Sequence, residues 1–389
     1  MPTTATTLPI DRDRALLVGR AFVPAVSGAV LVAVRGDDLV DATAVAPTSS
    51  MLANLDDPAG ALKAARSLPR IAKLDDVLAN SDEGTRDSGR PWLLAPCDLQ
   101  AIKAAGVTFV ASMLERVIEE QARGDSAKAE SVRGVIVGII GDNLSSVRPG
   151  SPEAARLKDA LIAQNAWSQY LEVGIGPDAE VFTKSQPMSA VGTGAAIGIH
   201  PKSEWNNPEP EIVLVVGSHG RTVGATLGND VNLRDFEGRS ALLLGKAKDN
   251  NASCAIGPFI RLFDEHYTID DVRRCDLAMR VEGPDGFVLD GASAIGMISR
   301  DPLDLVSQTI GANHQYPDGF VLFLGTMFAP TKDRHGPGQG FTHVVGDVVS
   351  VSTPKLGTLV NRVDTSDRIA AWTLGAGELM KSLARRGVL

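Results

Sequence analysis

Apolar runs separated by Gly-, Pro- and Asp-rich turns dominate the second half of the chain. Ile212 to Val216 form a continuous apolar run, which is typical of a strand buried on both faces. Beyond Pro258, four segments alternate or run apolar and predict strands: D-L-A-M-R-V-E-G, G-F-V-L-D-G, G-F-V-L-F-L-G-T and D-V-V-S-V-S-T. One predicted helix, D-P-L-D-L-V-S-Q-T-I-G, interrupts them. The pattern therefore predicts a β-rich α+β fold.

The first 90 residues predict a small separate unit. Gly28 to Gly36 predict a strand that ends in a turn, and Ala59 to Pro69 predict a short helix stopped by proline. The stretch from Asn80 to Pro91 is polar and contains glycine, as expected of a linker. We therefore predict a small N-terminal α/β domain over residues 1–90, for packing or dimerisation, and a larger catalytic domain over residues 91–389.

Three helical segments follow the linker. In the first, an apolar stripe that includes Met113 and Val117 lies opposite a charged face, which predicts an amphipathic helix. Residues 126–140 predict a second helix. The third begins after Ser151, a favourable N-cap residue, with Pro152 at its first position.

Composition is typical of a soluble globular protein and excludes several partners. The chain has 389 residues, 44% of them hydrophobic, and a mean hydropathy of +0.03. Its net charge of −9 and pI of about 5.3 argue against nucleic acid or an anionic membrane as a partner. No apolar run approaches the ~18 residues of a membrane span, and the first residues lack the apolar core of a signal peptide, so we expect a cytoplasmic protein. Three scattered cysteines and six unclustered histidines predict neither a disulfide framework nor a zinc site.

Two glutamates lie at the start of the continuous apolar run. Glu209 and Glu211 are two residues apart, so both carboxylates point to one face of an extended strand. The adjacent prolines cannot donate to a ladder and place the pair at a strand start or a sheet edge. Asp230 follows in a Gly-Asn-Asp turn. Three such oxygen donors suit a hard divalent cation, Mg²⁺ or Mn²⁺. The plainer interpretation is a solvated strand end and a turn residue that bonds its own backbone.

The order E-P-E, N-D-V-N-L-R-D and K-D-N-N-A-S-C-A-I-G-P resembles the metal-site core of the fumarylacetoacetate hydrolase superfamily. The resemblance implies that the two glutamates and the aspartate hold the cation and that Lys248 serves the chemistry. The segment P-D-G-F-V-L-F-L-G-T is similar to a family segment whose threonine, here Thr326, meets the substrate. Lys184 resembles a family position near the site; the alternative is a surface lysine. The similar region covers about residues 91–365 and implies a mixed β-sandwich or roll as the catalytic domain.

The segment G-V-T-F-V-A-S-M-L-E is similar to a lid motif of the family, in which a histidine and a glutamate activate water. Ser112 stands in the place of the histidine, and Glu115 keeps the place of the glutamate. Arg234 either binds the substrate carboxylate or, as the plainer structural role, pairs with Asp235 or Asp230.

Within the family, the resemblance is greatest to dehydratases of 2-keto-3-deoxy-pentonates. It implies that such a 2-oxo sugar acid, of the D-xylonate or L-arabinonate series, loses water to give 2,5-dioxopentanoate. Lys248, with its pKa lowered by the cation and by burial, is then the base at C3, and Glu115 protonates the leaving C4 hydroxyl. Thr326 bonds the substrate carboxylate, and Ser112 a sugar hydroxyl. We also expect a homodimer or homotetramer.

Two alternatives stay open at this stage. An acylpyruvate-type hydrolase or an oxaloacetate decarboxylase has the same metal core, but the missing lid histidine counts against the hydrolase. A non-catalytic binding member of the family is the remoter alternative. The intact set of three carboxylates and a lysine counts against it, because a degenerate site should have lost at least one of them.

Overall fold

The computed structural model describes residues 3–123, 125, 128, 147–163, 167–328, 330 and 332–388. The strands, in chain order, are β1 (Leu17–Val23), β2 (Gly28–Arg35), β3 (Asp38–Asp41), β4 (Arg70–Lys73), β5 (Trp92–Leu94), β6 (Ala101–Gly106), β7 (Glu180–Ser185), β8 (Ala196–Ile199), β9 (Asn206–Asn207), β10 (Pro210–Val216), β11 (Thr222–Asp230), β12 (Asn232–Leu233), β13 (Cys254–Leu262), β14 (Asp276–Glu282), β15 (Val288–Ala294), β16 (Phe320–Phe323), β17 (Val348–Thr353) and β18 (Gly357–Thr365). The helices are α1 (Thr4–Thr7), α2 (Ser49–Ala53), α3 (Pro58–Ala64), α4 (Leu74–Asn80), α5 (Val110–Ala122), α6 (Pro152–Ala163), α7 (Gln169–Ile175), α8 (Arg234–Glu237), α9 (Leu244–Lys248), α10 (Ile269–Arg273), α11 (Pro302–Thr309) and α12 (Ala376–Arg385).

The continuous apolar run forms a strand in the middle of a large sheet. Among the described residues, eleven strands form this sheet in the order β4-β3-β2-β1-β13-β11-β10-β16-β6-β7, with β5 also paired to β1. β10 lies between β11 and β16, both antiparallel to it, and all of its residues are buried. The prolines at Pro208 and Pro210 therefore mark the start of a central strand, not a sheet edge.

A second sheet packs against the first and encloses the main apolar core. Its strand order is β15-β14-β17-β18-β8. Buried and exposed residues alternate along β14, and Leu277 and Val281 share a core cluster with Leu214 of β10. On the other face of β10, Val215 shares a second cluster with Leu62 of α3. Burial on both faces explains why β10 is apolar from Ile212 to Val216, whereas β14 alternates.

Strands from the first 90 residues belong to the large sheet. β1 is antiparallel to β13, with Leu17 opposite Arg261. The predicted linker forms turns fixed by Asn80, whose side-chain amide donates to the carbonyl groups of Asp87, Arg90 and Pro91. The division into two domains near residue 90 stays a prediction.

The predicted helices are confirmed where the structure describes them. Met113 and Val117 are buried on α5, and α6 begins at Pro152 with the Ser151 hydroxyl accepting from the Ala154 amide at 3.2 Å. The helix predicted over residues 126–140 lies almost wholly outside the described residues. No described helix is both long enough and apolar enough to cross a membrane.

Candidate active-site cleft and metal centre

The three predicted metal ligands come from two adjacent strands of the large sheet. Glu211 lies in β10, Glu209 lies just before it, and Asp230 is the last residue of β11. The register pairs Pro210 with Asn229. The Asp230 amide donates to the Glu209 carbonyl at 3.0 Å. Asp230 therefore ends a strand instead of lying in the predicted turn, and the strand ladder brings the three side chains together.

The three carboxylates form a buried cluster. One oxygen of each lies within 4.8 Å of the others. Burial, and then the charges of Asp230 and Glu209, raise the pKa of Glu211 well above its ordinary value. A cation relieves this concentration of negative charge away from water, and an all-oxygen donor set is the one that Mg²⁺ and Mn²⁺ prefer. The residues therefore fit a hard divalent cation.

Three basic side chains surround the carboxylate cluster. Lys248 donates to Glu209 at 2.5 Å and to Asp230 at 3.0 Å. The Lys184 Nζ lies 2.9 Å from the Asp230 Oδ1. Arg116 donates to the other oxygen of Glu209 at 2.6 Å. Burial acts to raise the pKa of Asp230, but Lys184 and Lys248 outweigh it and hold that pKa below its ordinary value.

Lys248 differs from the prediction in its environment. It is the last residue of helix α9, not part of an irregular segment, and it is 2% exposed. Burial disfavours its charged form, but Asp230 and Glu209 outweigh burial and raise its pKa above the ordinary value. The sequence analysis predicted that a bound cation and burial lower the Lys248 pKa. The protein's own charges shift this pKa in the opposite direction.

Lys184 is a buried residue of the site and not a surface lysine. It lies on β7 with no exposed side-chain surface, and its Nζ donates to the carbonyl groups of Val231 (3.2 Å) and Lys248. Whether it touches substrate stays a prediction.

Glu180 is a cleft residue that the sequence analysis missed. It begins β7, and Phe182, two residues later on the same strand, also lines the cleft. Burial, and then the charge of Glu237, raise the pKa of Glu180 to about 7, although Arg116 opposes the shift. A carboxyl group that keeps its proton near neutral pH is a candidate general acid. The ladder between β6 and β7 has a register irregularity, so no regular alternation marked Glu180 in the sequence.

Arg116 is the second residue that the sequence analysis missed. Its guanidinium bridges Glu209 (2.6 Å) and Glu237 (2.7 Å), so helix α5 is tied directly to the carboxylate cluster. The sequence pattern assigned Arg116 only to the polar face of an amphipathic helix. Its place next to Glu115 in the lid motif was the one local signal.

Glu115 and Arg234 meet inside the cleft. The Arg234 Nη2 lies 3.3 Å from the Glu115 Oε2, and both residues are buried. The Arg234 guanidinium also lies over the Trp205 ring, 4.2 Å from its centroid. Glu115 is thus a partner of Arg234 that the sequence did not suggest. Ser112 lies on the same helix as Glu115, and its side chain is outside the described part of the structure.

Thr326 lies just after β16, at the carboxylate cluster. The preceding amide, from Gly325, donates to Glu211 at 2.6 Å. The Thr326 hydroxyl is buried and accepts from the Phe328 amide at 3.1 Å. A hydroxyl that accepts one hydrogen bond still has its proton to donate, as the predicted contact with a substrate carboxylate requires.

Most of these side chains line one cleft that opens to solvent. Seven of the predicted site residues line it, namely Glu115, Glu209, Glu211, Asp230, Arg234, Lys248 and Thr326. The cleft thus joins a carboxylate cluster, basic groups and a carboxyl group suited to proton transfer.

Fold and site together define a β-rich protein with a buried carboxylate cluster suited to a hard divalent cation, set beside acid–base groups. The chain belongs to the fumarylacetoacetate hydrolase family. The family model described as fumarylacetoacetate (FAA) hydrolase C-terminal matches residues 162–364, just over half of the chain. The resemblance inferred from the motifs is therefore confirmed.

Two curated relatives align with about half of the chain. A probable 2-keto-3-deoxyxylonate dehydratase of Haloferax volcanii is 33% identical over 196 residues, which are 50% of this chain and 64% of the relative. A 2-dehydro-3-deoxy-D-arabinonate dehydratase of Saccharolobus solfataricus is 30% identical over 190 residues, 49% of this chain and 60% of the relative. The chain thus spans less than two thirds of the length of either relative.

A solved structure shares the fold over most of the chain. It is described as 2-keto-3-deoxy-D-arabinonate dehydratase complexed with magnesium and 2,5-dioxopentanoate. The TM-score is 0.59 at 21% identity, covering 90% of this chain and 99% of that chain. This likeness confirms the predicted fold class.

Proposed function

We propose that the protein is a metal-dependent hydro-lyase that converts a 2-keto-3-deoxy-pentonate into 2,5-dioxopentanoate and water. The observation that carries the proposal is one cleft in which Lys248 and protonatable carboxyl groups face a buried carboxylate cluster. The substrate class is supported by the names of the two curated relatives. The proposed substrate class includes 2-keto-3-deoxy-pentonates of both the D-xylonate and the L-arabinonate series.

Glu209, Glu211 and Asp230 are the residues that would hold the cation, with Mg²⁺ expected and Mn²⁺ as a substitute. When bound, the cation supplies a Lewis acid for the carboxylate and keto oxygens of a 2-oxo acid. The magnesium in the solved complex of similar fold supports the choice of ion. Thr326 and Arg234 lie in the same cleft and are proposed to bind the substrate carboxylate.

Lys248 is proposed to remove the proton from C3. Its ammonium group, paired with Glu209 and Asp230, must first give up a proton before it can act as a base. The electron pair of the C3–H bond forms the C3–C4 double bond, and the C4–O pair leaves with the hydroxyl, which takes a proton from a carboxyl group and departs as water. Proton shifts from C5 to C3 and from the C5 hydroxyl to C4 then give the aldehyde.

Product analysis tests the function. The protein is incubated with Mg²⁺ and a 2-keto-3-deoxy-pentonate, and separately with an acylpyruvate and with oxaloacetate. We expect the pentonate to lose 18 mass units as one water, with no carbon–carbon cleavage, and the other two substrates to react poorly. If pyruvate is released from the acylpyruvate, or CO₂ from oxaloacetate, faster than the pentonate is dehydrated, the protein has one of the alternative activities instead.

Two carboxyl groups are candidates for the acid that protonates the leaving hydroxyl. Glu115 is the residue implied by the lid motif, and its Oε2 lies 3.3 Å from the Arg234 Nη2. Glu180, with a pKa of about 7, keeps its proton near neutral pH. We therefore assign proton donation to Glu180, with Glu115 as the alternative.

This assignment predicts a pH profile. Protonated Glu180 is lost as the pH rises through about 7, so kcat/KM is expected to fall over that interval. Glu180→Gln should lower kcat by about 10²–10⁴-fold and remove this alkaline limb. Glu115→Gln is the comparison: if it removes the limb while Glu180→Gln retains it, Glu115 is the acid.

The oligomeric state and the cellular location of the protein stay predictions from the sequence. We propose a homodimer or homotetramer in the cytoplasm, and sedimentation of the purified protein would identify the oligomer.

A further inference from the structure

Two asparagines form a pair on one wall of the cleft. Asn207 and Asn232 are direct partners in the short β9–β12 ladder. Side chains of direct cross-strand partners lie on the same face, about 4.5–5.5 Å apart at Cβ. Both residues line the cleft and are buried, at 3% and 0% exposure. We call Asn207 and Asn232 the asparagine pair.

The asparagine pair has hydrogen-bonding capacity that the described residues leave unused. Neither Oδ1 nor Nδ2 of Asn232 has a hydrogen-bond partner among them, and the same holds for the Oδ1 of Asn207. The Nδ2 of Asn207 donates to the Pro208 carbonyl at 2.9 Å. An unmatched buried amide is costly and uncommon. The wall of the cleft therefore holds one donor atom and two acceptor atoms without partners among the described residues.

Only some chemical groups match one donor and two acceptors. A hydroxyl group accepts from the Asn232 amide and donates to an Asn207 or Asn232 carbonyl oxygen. A ketone or a carboxylate has no proton to donate, so it leaves the acceptors unmatched. An ammonium group has no lone pair and cannot accept a hydrogen bond from the Asn232 amide. The pair is therefore suited to a neutral hydroxyl.

We propose that the asparagine pair is a specificity subsite that binds the C5 hydroxyl of the substrate. The proposal rests on the proposed function and deepens it. The C4 hydroxyl departs and needs a carboxylic acid beside it, whereas the C5 hydroxyl stays on the carbon chain. The amides thus select substrates that carry a hydroxyl at C5 over those that carry a methyl group there.

Two unreactive ligands isolate this contact. 5-Hydroxy-2-oxopentanoate and 2-oxopentanoate both lack a C4 hydroxyl, so neither can eliminate water, and they differ only at C5. Their affinities for the Mg²⁺-loaded protein are measured by calorimetry. Two neutral hydrogen bonds predict that the wild type prefers the hydroxylated ligand by about 10- to 100-fold. Asn232→Leu, close to isosteric, is expected to reduce this preference to about threefold or less, with no loss of melting temperature.

Thr226→Val is the matched control. The Thr226 hydroxyl is also buried without a hydrogen-bond partner among the described residues, and it lies on β11 away from the cleft lining. The control should keep the wild-type preference. Asn207→Leu combined with Asn232→Leu should cost little more than either alone, because both side chains bind one hydroxyl.

The outcomes separate the subsite from the reaction. An equal preference for the two ligands in the wild type, or a preference unchanged in Asn232→Leu, overturns the subsite while leaving dehydration intact. If the pentonate is not dehydrated but the preference exists and depends on Asn232, the proposed reaction fails and the hydroxyl subsite stands.

Discussion

Lys248→Met is expected to lower kcat by about 10²–10⁴-fold, the usual effect of losing a general base. Lys248 contacts two of the three cluster carboxylates, at 2.5 Å from Glu209 and 3.0 Å from Asp230. This position next to the proposed cation site is the reason for assigning it the removal of the C3 proton. Methionine keeps most of the side-chain volume but cannot accept a proton. Single-turnover kinetics with the pentonate would measure the loss in the chemical step.

The same substitution should also change stability in a way that depends on the cation. Removing one partner of a buried ion pair costs roughly 3–5 kcal/mol, so the metal-free variant is expected to melt below the wild type. Mg²⁺ should restore much of the difference, because it neutralises the carboxylates that Lys248 otherwise pairs. A folded, Mg²⁺-stabilised variant that stays slow would separate chemistry from folding.

Lys246→Met provides the matched control for Lys248→Met. Lys246 lies on the same short helix, α9, but is exposed and does not line the cleft. Its variant should keep the wild-type kcat and melting temperature. If Lys248→Met turns over the pentonate as fast as Lys246→Met, another group is the base.

Local patterns predicted the elements of this fold but not their assembly. The strand at β2 and the apolar stripe on α5 follow from periodicity, which a sequence displays directly. The pairing of β1 with β13 joins Leu17 to Arg261, residues far apart in the chain, and no local pattern encodes it. The sequence therefore predicted elements of the N-terminal region, whereas their pairing in the large sheet depends on tertiary structure.

The residues of the candidate site were likewise predicted only in part, where a local motif contains them. The carboxylates of Glu209 and Glu211 belong to a short motif, and their shared face follows from strand geometry. Arg116 was missed because its partner Glu209 lies 93 residues away and its own neighbours describe only a helix face. The asparagine pair also depends on a ladder between distant segments. Motifs thus identify ligands, while tertiary structure identifies the groups that contact them.

Glu211→Gln is expected to remove cation binding and, with it, more than about 100-fold of the activity in Mg²⁺ buffers, since even loss of groups that only support a ligand costs 10–100-fold. Glutamine keeps the shape and can still accept from the Gly325 amide, which lies 2.6 Å from the carboxylate. Unlike a carboxylate, glutamine cannot bring a negative charge to the cation that the cluster would hold.

Stability provides a second measurement for Glu211→Gln, independent of turnover. In the wild type, Mg²⁺ should raise the melting temperature, because a ligand that binds only the folded state stabilises it. The variant should lose this increase, yet melt at or above the metal-free wild type, because the neutral amide removes the crowding that raises the pKa of Glu211. Glu282→Gln is the control, since Glu282 is an exposed residue of β14 paired with Arg280. It should retain both activity and the Mg²⁺ effect.

Full activity of Glu211→Gln, or of the wild type after chelation, would contradict the assignment of the cluster as a metal centre.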